Sequence, residues 1–64
     1  MEIEIIEDLK PNQSYYSRSM NTDFTVFENN RVLQEIKFGF DGKLKTMSFG
    51  KFSKQYFGEG IIKN

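Results

Sequence analysis

The chain has 64 residues, no cysteine, no histidine, and nine basic and nine acidic side chains, which give a formal net charge of zero. This length predicts one domain, over residues 1–64, with a small core. The composition excludes disulfides, thiolate and imidazole chemistry, and the usual zinc sites. Seven Phe and three Tyr supply the apolar surface for a core that must be held by packing alone.

The charges are unevenly distributed. Residues 1–30 carry six acidic and two basic side chains, whereas residues 31–64 carry seven basic and three acidic ones. Such a polarity either builds an acidic and a basic face or cancels between paired strands. The sequence has no signal-like leader and no apolar run of about 20 residues, so we expect a cytoplasmic protein without membrane contact. The absence of Ala suggests an AT-rich genome, such as that of a low-GC bacterium or its phage.

The first elements are extended. Residues 2–9 alternate isoleucine with acidic side chains, which is the period-two pattern of a half-buried strand with Ile3 and Ile5 on its core face. Residues 10–12, Lys-Pro-Asn, are typical of a turn. Residues 13–20 mix strand-favouring Tyr with loop-favouring Ser, and we predict a strand there.

The central part predicts a three-stranded meander over about 23–28, 31–40 and 43–48. The dipeptides Asn29-Asn30 and Asp41-Gly42, which favour positive φ, separate runs of β-branched and aromatic residues. A two-residue turn at the first dipeptide would pair Phe27 with Val32 and Val26 with Leu33.

The C-terminal part changes to helical spacing. Ser48 is a candidate N-cap and Gly58 a candidate C′ residue, so we predict a helix over about 48–57, with a last short strand at Ile61 and Ile62. The helix would present an aromatic stripe of Phe49, Phe52, Tyr56 and Phe57. The expected fold is mainly β, of the α+β class. It would be a small antiparallel meander sheet, or a partly open SH3-like or OB-like barrel, with one short C-terminal helix. The expected core consists of Phe27, Val32, Ile36, Phe38, Phe49, Phe52 and Phe57.

The hairpin around Asp41-Gly42 has two possible registers. A two-residue turn pairs Phe40 with Lys43 and Phe38 with Lys45, so that rings and ammonium groups share one surface. A one-residue bulge at Gly42 instead places Phe38 opposite Leu44 in a core wall, with the lysines in water. We expect the bulged register.

The first register would suit single-stranded nucleic acid, because bases stack on aromatic rings while lysines meet phosphates. The residues would be Lys37, Phe38, Phe40, Lys43 and Lys45. Residues 37–40, Lys-Phe-Gly-Phe, also resemble the aromatic strand motif of cold-shock and RRM domains, Lys-Gly-Phe-Gly-Phe followed by an aliphatic residue. The first Gly is absent, and Asp41 occupies the aliphatic position. The zero net charge disfavours this function, which we keep as the alternative.

The favoured function is protein binding. Phe24, Val26 and Leu33 are expected on the sheet face that the helix leaves uncovered. Either the N-terminal strands close over this face, or another protein or a second copy of the chain binds it. Glu2 and Glu4 have strand spacing suitable for a carboxylate pair, but solvated strand edges carry the same pattern. We therefore expect no enzymatic activity, no cofactor and no metal. The prediction is a small accessory regulator or inhibitor of a host enzyme or complex.

Overall fold

The computed structural model describes residues 2–64, which form one open, fully antiparallel sheet and one α-helix. The strand order across the sheet is β1-β6-β2-β3-β4-β5. The predicted mainly β fold with one short C-terminal helix is confirmed. The elements are β1 (Glu2–Ile3), a 3₁₀ helix (Ile6–Asp8), β2 (Gln13–Ser17), β3 (Thr22–Asn30), β4 (Glu35–Phe40), β5 (Lys43–Ser48), α1 (Phe49–Tyr56) and β6 (Ile61–Lys63).

The connection through α1 determines which face of the sheet is covered. Strands β2 to β5 form a meander, and α1 then leads from the edge strand β5 to β6, which lies between β1 and β2. Side chains of α1 pack with those of the central strands, so the core lies between the helix and one face of the sheet. The N-terminal strands extend the same sheet and do not cover its second face.

The core is an aromatic cluster. Phe52 and Tyr56, one helical turn apart, stack with ring centroids 4.7 Å apart. Phe38 meets both rings edge-on at 5.2 and 5.1 Å, and Phe24 meets them edge-on at 5.6 and 5.7 Å. Tyr15 stacks on Phe24 at 5.8 Å. Each edge-to-face ring pair contributes about 0.5–1.5 kcal/mol beyond the free energy of burying apolar surface, so these pairs add to the stability of a small core.

Both ends of α1 are held by serine hydroxyls. The predicted N-cap is confirmed, because Ser48 Oγ accepts a hydrogen bond from the Lys51 amide at 3.2 Å. At the other end, the buried Ser17 Oγ donates to the Tyr56 carbonyl at 2.8 Å, which joins the helix to β2. Gly58 follows the C-cap Phe57 and so occupies the predicted C′ position, but the left-handed conformation after the helix belongs to Gly60, with φ +101°.

The N-terminal segment departs from the predicted strand over residues 2–9. β1 ends at Ile3, and Ile5 is exposed. The reason is a tertiary clamp: Asn29 Nδ2 donates to the carbonyls of Ile6 and Leu9, at 2.9 Å each. This clamp holds the 3₁₀ helix against β3 and buries Leu9 in the core.

The predicted two-residue turn at Asn29-Asn30 is also wrong. β3 continues to Asn30, which pairs with Glu35 across a four-residue loop. Asn30 Oδ1 accepts a hydrogen bond from the Leu33 amide at 3.0 Å, and Gln34 has φ +53°, so these two residues close the loop. Val32 is consequently 92% exposed and was wrongly expected in the core.

Candidate binding surface on the open face of the sheet

The register of the β4–β5 hairpin decides which side chains share a face. Asp41 and Gly42 have φ of +52° and +75°, as a two-residue type I′ turn requires. Phe40 pairs with Lys43 and Phe38 with Lys45. The expected bulged register is therefore wrong. Phe38 is nevertheless fully buried, because α1 covers the face that carries it.

The five hairpin residues considered for nucleic acid do not form one surface. Phe38 is buried, and Phe40 is half-buried with its ring 6.2 Å from that of Tyr56. Lys45 Nζ lies 5.1 Å from the centre of the Phe40 ring, on the helix-covered face with Lys43. Lys37 directly precedes Phe38 in β4, so its side chain points to the opposite, uncovered face of the sheet. No row of alternating rings and lysines is exposed on this hairpin.

The three residues expected to bind a partner are also separated. Phe24 and Val26 are buried in the core, whereas Leu33 is 65% exposed in the β3–β4 loop. The expectation that they share an uncovered face is wrong, because α1 covers the face of β3 that carries Phe24 and Val26. Alternation along a strand defines two faces but does not say which of them a helix will cover.

The uncovered side of the sheet, here called the open face, has a β-bulge at its centre. Val26 pairs with Phe38 and Glu28 with Lys37, so Phe27 is the extra residue of β3. Its ring lies on Gly39: a Cβ built on Gly39 would come within 2.8 Å of Phe27 Cε2. Phe27 remains 48% exposed, which corrects its predicted place in the core.

A groove of about 510 Å³ lies beside this ring. Leu44, which pairs with Gly39 and is 64% exposed, provides a second apolar side chain in the groove. Charged groups also line it, and Asp23 Oδ1 is fixed by a hydrogen bond from Asn64 Nδ2 at 3.0 Å. The lining includes Asp23, Thr25, Phe27, Gly39, Asp41, Lys43 and Leu44. A groove with an apolar floor and charged residues around it can bind an uncharged side chain of a ligand through apolar contacts.

Sequence reasoning missed this groove, although one signal for it was present. A glycine inside a strand often marks a bulge or a close approach of another group, and Gly39 is flanked by aromatic residues in β4. The position of the bulge in β3 depends on the loop that closes β3 and β4. Only the structure shows that Phe27 is the residue that fills the space above Gly39.

The remaining ionisable groups of residues 2–64 form no second site. Glu2 pairs with Arg18 at 3.3 Å on the surface, and Glu4 is exposed. Burial raises the pKa of the Tyr56 phenol, whose oxygen has no hydrogen-bond partner within residues 2–64. Across the same residues there is no cluster of three His, Cys, Asp or Glu that could hold a metal ion.

Residues 2–64 contain no helix with the length and apolar character needed to cross a membrane. Comparison of the chain with protein-family models, with curated proteins and with solved structures finds no match.

Proposed function

We propose that this protein is a non-enzymatic protein-binding module, which docks through the open face of its sheet and acts as an accessory regulator or inhibitor of an enzyme or complex. One observation carries the proposal. Phe27 and Leu44 present an apolar groove on a face that no element within residues 2–64 covers. In a chain with a small core, large apolar side chains left in water are typical of an interaction surface.

The groove favours protein over nucleic acid as the ligand. A single-stranded nucleic acid stacks successive bases on a row of exposed rings, whereas Phe38 is buried and the groove has one exposed ring, that of Phe27. It also needs positive charge, whereas the groove is lined by the acidic Asp23 and Asp41, the Lys43 side chain lies on the helix-covered face, and the chain has no net charge. A partner protein can instead place an apolar side chain against Phe27 and Leu44 and pair its polar groups with the charged rim.

The test compares two variants that introduce the same charge at different exposed apolar positions. Leu44→Asp changes the groove, and Val32→Asp changes the loop at the opposite end of β4. Circular dichroism checks that both variants fold. Each immobilised chain is used to capture proteins from a host lysate, and the captured protein is purified and titrated against the wild type and both variants.

We expect the wild type and Val32→Asp to bind the same protein with equal affinity, and Leu44→Asp to bind it at least about tenfold more weakly, a loss of about 1.4 kcal/mol. Equal binding by Leu44→Asp would contradict the proposal. A labelled single-stranded oligonucleotide is titrated in parallel over a salt series. Micromolar binding that weakens steeply with salt and is lost in Lys37→Ala would overturn the proposal in favour of nucleic acid.

A further inference from the structure

The strand beside the groove is an edge of the sheet. β5 pairs with β4 on one side and has no neighbour within residues 2–64 on the other. Lys43 and Lys45 pair directly with β4 in the hydrogen-bonded positions that follow a two-residue turn, and the Phe49 amide likewise donates inward, to the Gln34 carbonyl at 2.8 Å. The amides and carbonyls of Leu44 and Thr46 therefore point outward, where a further strand would bind.

The two faces of β5 differ in chemistry. On the open face, Leu44 adjoins the groove and Thr46 follows it. On the helix-covered face are Lys43 and Lys45, neither of which forms an ion pair within residues 2–64. Lys45 Nζ lies over the Phe40 ring, which leaves its charge available to a carboxylate. A strand added to this edge would meet apolar surface on one side and positive charge on the other.

We propose that the ligand of this surface is an extended segment of a partner protein, which adds to β5 as a seventh, antiparallel strand. Its apolar side chains lie beside Leu44 and the groove, and its acidic side chains lie beside Lys43 and Lys45. This inference rests on the proposed function and names the partner segment by its chemistry: a strand in which acidic and apolar residues alternate. Main-chain hydrogen bonds to Leu44 and Thr46 provide affinity, and the two faces provide specificity.

Other pairings at the edges of the sheet are less favourable. A second copy of β5 would bring its own Lys43 and Lys45 to an edge that already carries two lysines, and edge lysines commonly prevent such self-pairing. The opposite edge, β1, has only two residues, and its Glu2 already pairs with Arg18. The free edge of β5 therefore favours an acidic foreign strand.

The first experiment uses capped six-residue peptides, which match the length of β5. One alternates Glu with Val and the other alternates Lys with Val. Each is titrated into the ¹⁵N-labelled full chain and followed by NMR. We expect the Glu peptide to shift the amides of Leu44 and Thr46 and to bind at least about tenfold more tightly than the Lys peptide. The double variant Lys43→Glu/Lys45→Glu should reverse this preference. Equal binding of the two peptides, or no binding of either, would overturn the proposal.

The second experiment tests main-chain pairing. In an antiparallel pair, two directly opposite residues that exchange main-chain hydrogen bonds have their side chains on the same face of the sheet. The peptide residues that bond to Leu44 and Thr46 therefore have side chains on the open face, and these are the Val residues. N-methylation of the Val residues should abolish binding, whereas N-methylation of the Glu residues should preserve it. Equal binding by both methylated peptides would contradict strand addition.

A protein variant tests the same edge. Thr46→Pro removes an outward donor without breaking a bond to β4, and an edge strand tolerates proline at such a position. We expect a folded variant that no longer binds the Glu peptide. If Thr46→Pro and the wild type bind the peptide equally, β5 is not the docking edge. A wild-type dimer that sedimentation detects and Thr46→Pro abolishes would make a second copy the ligand and overturn the proposal.

The two proposals fail in different ways. Capture of a protein that depends on Leu44 but is unaffected by Thr46→Pro would leave the protein-binding function in place and refute strand addition. Capture that does not depend on Leu44 would refute the proposed function itself.

Discussion

The two faces of the sheet carry similar large apolar side chains, which are buried on one face and exposed on the other. On the covered face, Phe24 and Phe38 pack against α1 and have almost no exposed surface. On the open face, Phe27 lies in β3 with Phe24, and Leu44 lies in β5, next to the strand that carries Phe38. Both side chains nevertheless keep about half or more of their surface in water. A helix of eight residues covers one face of a six-stranded sheet. The position of the helix, and not the type of residue, decides which aromatic side chains stabilise the fold.

The largest difference between the faces should appear when the same substitution is made on each. Phe38→Ala removes a fully buried ring that contacts Phe24, Phe52 and Tyr56. We expect it to cost about 3–5 kcal/mol, which approaches the whole stability of a domain this small. Phe27→Ala should cost only about 1 kcal/mol, because half of that ring is already in water. Urea unfolding followed by circular dichroism measures both values. Equal costs at the two positions would contradict the assignment of the faces.

A smaller effect should distinguish the two serines of β2. Ser17→Ala leaves the buried Tyr56 carbonyl and the Met20 amide without the hydroxyl that each now bonds, so we expect a loss of about 1–3 kcal/mol. Ser14, whose hydroxyl lies 3.1 Å from Thr25 Oγ1 on the surface, is the control. Ser14→Ala should change the unfolding free energy by less than about 0.5 kcal/mol. A neutral Ser17→Ala would show that β2 does not hold the helix end.

Glycine substitutions test the turn that sets the register of β4 and β5. Gly42 has φ +75°, so Gly42→Ala should cost about 1 kcal/mol. Gly50 lies in α1, and a Cβ built there meets no atom within 4 Å, so Gly50→Ala should stabilise the protein by about 0.5–1 kcal/mol. If the two-residue turn is correct, thermal unfolding should show a lower Tm for Gly42→Ala and a higher Tm for Gly50→Ala than for the wild type. A neutral or stabilising Gly42→Ala would contradict it.

The smallest expected effect concerns a polar atom within the covered face. Tyr56→Phe removes a buried hydroxyl that has no partner within residues 2–64, so stability near neutral pH should be unchanged or slightly increased.

The same phenol predicts an alkaline loss of stability. Its pKa is raised above 10 by burial in the folded chain, so above about pH 10 the unfolded chain releases a proton that the folded chain retains. The wild type should lose stability as pH rises through this range, and Tyr56→Phe should lose less. Parallel stability curves for the two chains above pH 10 would contradict this role.

Local patterns predicted much of the fold. Helical aromatic spacing and Ser48 located α1, and Asp41-Gly42 located the β4–β5 turn, because these signals act between residues close in sequence. The errors arose where distant residues decide. The predicted N-terminal strand ends after Ile3, because the Asn29 clamp holds a 3₁₀ helix at Ile6–Asp8, and the loop after Asn30 shifts the pairing of β3 with β4.

The candidate site was less predictable than the fold. Strand alternation correctly placed Phe24 and Val26 on one face of β3 and their neighbours in sequence on the other. It cannot say which of the two faces α1 will cover. The groove further depends on one extra residue in β3, which places Phe27 on Gly39. Gly39 alone indicated that something would approach β4 closely, without identifying the side chain.

The covered and open faces of the sheet divide the phenylalanines into protected and accessible sets. Fluorine NMR of the chain labelled with fluorophenylalanine, with a soluble paramagnetic agent added, measures the accessibility of all seven rings in one sample. We expect Phe27 to be broadened most, Phe40 and Phe57 to be intermediate, and Phe24, Phe38, Phe49 and Phe52 to be protected. Strong broadening of Phe24 or Phe38, together with protection of Phe27, would contradict the claim.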